Sequence, residues 1–160
     1  MLIAVSCSAI GISASKGYKE RTNGIKDFIG AFQIAKAEIV FKNASIPEVC
    51  QRIEQQCNGA ARSFFGKKLD LKDDSVINDS NDIFLELKKY CFKEKEINVI
   101  KDIVSVLGRY DKDSLLNIID KGIIQLDDLY KNAQIEQEKN GRLSAAFGIT
   151  CGIVLAVLAF

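Results

Sequence analysis

Apolar residues recur along this chain at helical spacing. Ile25, Phe28, Ile29, Phe32, Ala35 and Ile39 follow the i, i+3, i+4, i+7 pattern and predict a first helix over about residues 16–41, with a direct continuation out of the N-terminal segment left open. Ser45-Ile46-Pro47-Glu48 reads as a helix start: Ser at the N-cap, Pro in the first turn, Glu at the third position to close a capping box. The second helix buries Val49, Cys50, Ile53 and Cys57 and ends at Asn58-Gly59. A short third helix offers Ala60, Ala61, Phe64 and Phe65. The polar stretch 69–81, with Asp70, Asp73, Asp74, Ser75, Asn78, Asp79 and Ser80, is the one clear loop. A fourth helix carries Ile83, Phe84, Leu87 and Cys91 on its apolar face. A fifth carries Ile97, Ile100, Val104 and Leu107 and stops at Gly108. Asp111 can cap a sixth, long helix with Leu115, Ile118, Ile119, Leu126, Leu129 and Tyr130 on its apolar side, and Gly122 and Asn140-Gly141 as its weak points. No strand-type alternation is sustained, and Pro47 is the only proline. The expectation is an all-α antiparallel bundle of about six helices, with Phe32, Ile53, Leu87, Val104 and Ile119 in its core.

Charge adds a second layer. The chain has 22 Lys and Arg and 21 Asp and Glu, and all of them lie between Lys16 and Arg142. This divides the chain into an N-terminal membrane segment at 1–15, a cytoplasmic helical domain at 16–142 and a C-terminal transmembrane helix at 143–160. The C-terminal segment has 18 residues; as a helix it reaches about 27 Å, close to the ~30 Å of a hydrocarbon core. The N-terminal segment reaches about 22 Å and contains Ser6, Ser8, Ser13 and Ser15, so spanning requires snorkelling by Lys16 and Lys19 or a thinned bilayer. A re-entrant or interfacial segment is the alternative there. The membrane-flanking cations Lys16, Lys19, Arg21, Lys139 and Arg142 all fall on the middle-domain side, which places that domain in the cytoplasm.

Composition narrows the chemistry. There is no histidine, which excludes Ser-His-Asp and Cys-His catalysis and His-containing zinc sites. Cys7, Cys50, Cys57, Cys91 and Cys151 form no CxxC; Cys50 and Cys57, seven apart, read as small core residues. A net charge of +1 gives no bulk electrostatic pull toward nucleic acid. No glycine-rich phosphate loop is present, and Asp73-Asp74 and Asp127-Asp128 read as loop and helix-surface acids. The expectation is a non-enzyme with no catalytic, cofactor-binding or metal-binding set and no small-molecule substrate.

Four motifs carry a resemblance. Ala35-Lys36-Ala37-Glu38-Ile39-Val40-Phe41 is similar to Leu-Glu-x-Glu-Ile-x-Tyr, and Ala44-Ser45-Ile46-Pro47-Glu48-Val49 to Thr-Pro-Leu-x-Glu-Ala. Leu107-Gly108-Arg109-Tyr110-Asp111 is similar to Leu-Gly-x-x-Asp, and Asn140-Gly141-Arg142-Leu143 leads through Phe147-Gly148 into the apolar tail. In this order and spacing the chain resembles the stage III sporulation protein AB family. It departs from the family at Thr22-Asn23-Gly24-Ile25, where Pro-Arg-Gln followed by Leu or Ile is usual. The resemblance implies a bundle like the cytoplasmic domain of type II secretion and type IV pilus platform proteins. It further implies a mother-cell protein in the outer forespore membrane, part of a channel-like complex with the forespore, and a secretion-type ATPase as cytosolic partner. The motif-bearing turns make Glu38, Glu48 and Asp111 the candidate partner contacts, since a charge can serve a partner as well as a cap. A membrane-tethered helical adaptor or regulator outside sporulation is the other reading the residues fit.

Overall fold

The computed structural model describes residues 2–70, 85, 87–107 and 111–141. Five helices stand among them: α1 (Leu2–Lys42), α2 (Ile46–Gln56), α3 (Gly59–Asp70), α4 (Glu94–Val106) and α5 (Lys112–Glu136). A π-helical turn, Gln137–Gly141, continues α5. No strand occurs among the described residues, in line with the all-α expectation. α1 packs against α2, α3 and α5, and α4 packs against α5.

The register of α1 against α5 follows from three contacts. Lys36 bonds Asp120 at 2.6 Å, the Thr22 hydroxyl lies 3.5 Å from the Ala133 carbonyl, and Arg21 bonds Glu136 at 2.6 Å. Later residues of α1 meet earlier residues of α5, so the two helices run antiparallel. Both therefore bring their apolar-tip ends to the same end of the bundle.

The core is built on a seven-residue repeat. α1 buries Arg21, Gly24, Ile25, Phe28, Ala31, Phe32, Ala35, Glu38 and Ile39. α5 buries Leu115, Ile119, Gly122, Leu126 and Ala133. Both sets keep one face toward the partner helix over several turns. Phe28, fully buried, is the centre of an aromatic cluster, with ring centroids 6.0 Å from Phe32, 5.5 Å from Phe64, 6.3 Å from Phe65 and 5.8 Å from Phe92. Phe32, Ile53, Leu87, Val104 and Ile119 are all buried, as their periodicity predicts. Cys50 and Cys57 are buried as well, and burial beside Asp27 pushes the Cys57 thiol up.

α1 begins well before Lys16 and runs unbroken from the N-terminal segment into the bundle, the continuation that the sequence left open. Other features differ from the sequence expectation. Gly122 is no weak point: it lies inside α5, where an added Cβ would come within 2.6 Å of Ile103 Cγ1, so its lack of a side chain lets α4 approach. Cys91 is not on a buried helical face. It sits exposed in a turn at φ 60°, after Tyr90 and Cys91 have closed on the Leu87 and Lys88 carbonyls, and Phe92 takes the core position instead. Among the described residues no helix is long and apolar enough to cross a membrane. The stretch 143–160, Arg142, most of the loop 69–81 and Gly108 lie outside the described residues.

Candidate partner-docking surface

At the end of the bundle away from the apolar tips, α1 closes into a tight turn. Asn43 takes the left-handed conformation at φ 47°, and the Ala44 N–H donates to the Glu38 carbonyl at 3.3 Å. A left-handed residue just past the helix end is a common helix stop, and Asn tolerates the position better than most other non-glycine residues. Ser45 then starts α2. Its backbone N–H and its hydroxyl donate to Glu48 Oε2 at 2.7 and 2.9 Å. Asp111 starts α5 by accepting the Ser114 N–H at 3.1 Å. These hydrogen bonds hold the Glu48 and Asp111 carboxyls below the usual carboxylate range.

The start of α5 is tied to the end of α1. Lys112 Nζ donates to Asn43 Oδ1 at 2.5 Å and to the Val40 carbonyl at 3.3 Å. Beside this turn lies a polar cleft of about 450 Å³ lined by Glu38, Lys42, Ala44, Glu48, Gln51, Arg52 and Gln55. Glu38 is itself buried, accepts from Lys42 Nζ at 2.8 Å and faces Arg52 Nε at 3.9 Å. The structure thus brings Glu38 and Glu48 to one cleft and Asp111 to the adjoining helix start. Each of the three already has an internal partner.

What the sequence reading missed is apolar. Phe41 is 84% exposed and its neighbour Val40 36%, on the same turn that Lys112 staples. Phe41 follows Ile39 by two, a spacing that leaves the i+3, i+4 stripe, and that offset was its signal. An exposed phenylalanine on a closed, hydrogen-bonded turn, next to Lys42 in the chain and on the turn that Lys112 grips, is suited to a contact anchor.

The membrane-flank residues fare differently. Lys16, Lys19 and Lys139 are exposed. Arg21 is 6% exposed and turned inward, and its guanidinium donates to Glu96 and to Glu136. Burial works against its charge, but the hydrogen bonds it donates to the two carboxylates outweigh it and hold Arg21 above its ordinary value. Glu96, fully buried on α4, also accepts the Lys93 N–H at 2.8 Å, and Lys93 Nζ reaches Glu136 at 2.7 Å. Position in the chain alone made Arg21 a membrane-flanking cation. Its place on the apolar face of α1, seven residues before Phe28, was the sign that it faces inward.

A family model for stage III sporulation protein AB matches residues 1–160. Stage III sporulation protein AB of Bacillus subtilis (strain 168) is 25% identical over 162 residues, covering 99% of this chain and 95% of the relative. A solved structure of stage III sporulation protein AB (SpoIIIAB) matches with a TM-score of 0.64 at 22% identity, covering 75% of this chain and 98% of the solved one. At that identity the structural likeness speaks for the fold, while the family match spans every residue. The chain belongs to the stage III sporulation protein AB family.

Proposed function

We propose that this protein acts in sporulation as a non-enzymatic platform component of a channel or secretion-like complex between mother cell and forespore. In this reading the segments 1–15 and 143–160 hold it in the mother-cell outer forespore membrane. The bundle stands on the cytoplasmic side and docks a secretion-type ATPase and other channel proteins. The whole-length family match supports the sporulation role. The lack of histidine and the internal engagement of Glu38, Glu48 and Asp111 support binding over chemistry. The observation that carries the docking is Phe41, 84% exposed on a closed turn at the end of α1 opposite its N-terminal segment. Phe41 is the anchor and the neighbouring cations Lys42 and Lys112 supply orientation, since rim charges act chiefly on association rate and salt dependence.

The test pairs purified full-length chain in detergent with the secretion-type ATPase encoded beside it, alongside complementation of a deletion strain. Phe41→Asp is expected to abolish capture and to arrest forespores after engulfment while leaving the melting temperature in place. Capture and sporulation both unchanged in Phe41→Asp would move the interface elsewhere.

A further inference from the structure

The apolar positions of the seam between α1 and α5 repeat, and its ionic contacts do not: Lys36 meets Asp120 midway along it, and Arg21 meets Glu136 at the end nearer the N-terminal segment, the more deeply buried of the two. On α1 the buried positions step through Arg21, Gly24, Phe28, Ala31, Ala35 and Glu38. On α5 they step from Leu115 to Ile119, Gly122, Leu126 and Ala133, and the next position three residues on is Glu136. A seven-residue repeat maps onto itself when one helix slides by seven residues, about 10 Å along the axis. Apolar contacts alone therefore discriminate poorly between the native pairing and the slipped one, whereas a polar residue at a single core position fixes register at a cost in stability.

We infer that Arg21, clasped between Glu96 and Glu136, is a register lock: it sets the height of α1 against α5 and α4 where the chain runs into its two apolar tips. The geometry is specific. Arg21 Nε donates to both Glu96 oxygens, at 2.9 and 3.1 Å, its second nitrogen also meets Glu96, and its third meets Glu136 at 2.6 Å. One side chain thus joins three helices. Lys93 closes the ring by holding Glu136 from the α4 side. In a slipped register Arg21 loses both partners and Glu96, which has no exposure, keeps an uncompensated charge. That penalty suppresses the slipped arrangement by on the order of a hundredfold or more. The π-helical turn Gln137–Gly141, packed on α1, then leaves the bundle at a fixed level beside it.

Disulfide mapping of the full-length chain in detergent micelles tests this. T22C/A133C reports the native register, because Thr22 Oγ1 and the Ala133 carbonyl lie 3.5 Å apart. T22C/N140C reports the register displaced by seven residues. With the lock intact, oxidation is expected to join only the first pair, identified by mass spectrometry. In R21M/E96Q/E136Q, where glutamine can still accept the Lys93 N–H, the T22C/N140C product is expected to appear. Should that variant not fold, E136Q alone carries the test: the Glu136 side chain is 34% exposed, so its neutralisation strands no deeply buried charge, and a smaller slipped fraction is expected. Native disulfide alone in every folded variant would overturn the inference and leave Arg21 as an ordinary buried ion pair.

Discussion

Truncating Phe28 to alanine removes the ring about which the aromatic core is assembled. Phe28 has no exposed surface and contacts Phe32, Phe64, Phe65 and Phe92 at centroid distances between 5.5 and 6.3 Å. Phe→Ala in a packed core costs about 3–5 kcal/mol, combining lost transfer free energy with a cavity the surroundings fill only in part. Edge-to-face aromatic pairs add about 0.5–1.5 kcal/mol beyond burial, and Phe28 makes such contacts with both Phe64 and Phe92, so the upper half of that range is expected. At about 2–4 °C per kcal/mol for a chain of this size, the melting temperature should fall by roughly 8–20 °C. Phe41 supplies the control: same residue type, same helix, 84% exposed. Phe41→Ala should change stability by no more than about 0.5 kcal/mol. The assay is circular-dichroism melting with denaturant titration of both variants in one detergent. A Phe28→Ala loss below about 1 kcal/mol, or a Phe41→Ala loss equal to it, would show that burial and contact do not set the energetics of this helix.

Three further outcomes are expected. Arg21→Ala strands the buried Glu96 carboxylate and should destabilise by about 3–5 kcal/mol in the same assay, more than removal of the exposed Lys19. Gly122→Ala drives a methyl into Ile103, which is 1% exposed and has little room to yield, and should cost about 1–3 kcal/mol by denaturant titration. Glu136 is held below its usual range, first by the Lys93 hydrogen bond and then by Arg21. Its folded value is depressed, so its stabilisation is present at neutral pH and is lost as pH falls from about 4.5 through that lower value; Glu136→Gln should melt lower at pH 7 and show a flatter acid limb.

Much of this arrangement was legible in the residues. The i, i+3, i+4 spacing located every described helix, because each buries one broad apolar face and periodicity is the direct imprint of that burial. Ser45-Ile46-Pro47-Glu48 and Asp111 located two helix starts, since capping is a local transaction between neighbours in sequence. What escaped was set by contacts distant in sequence. Arg21 and Glu96 are 75 residues apart, and nothing near either one announces the other. The exposure of Phe41 depends on where α5 begins and on Lys112 gripping the turn from 72 residues away. Cys91 has helical spacing from Leu87, yet the backbone turns at that point and Phe92 wins the apolar site by size. Gly122 reads as a helix breaker in isolation and becomes a packing device only opposite Ile103.

α1 carries a mechanical consequence. It is one helix of 41 residues without a proline, and at 1.5 Å per residue it is about 60 Å long. Its first third is the apolar tip and its last turn carries Phe41, so a single stiff rod connects the two ends of the molecule. A rod of that length is a lever. Tilting the tip by about 10° about its near end swings the far end sideways by about 10 Å, roughly the diameter of a helix. Force applied at the Phe41 turn would reach the apolar tip with no hinge in α1 to dissipate it. Torque, and not only occupancy, is therefore a quantity this bundle can deliver.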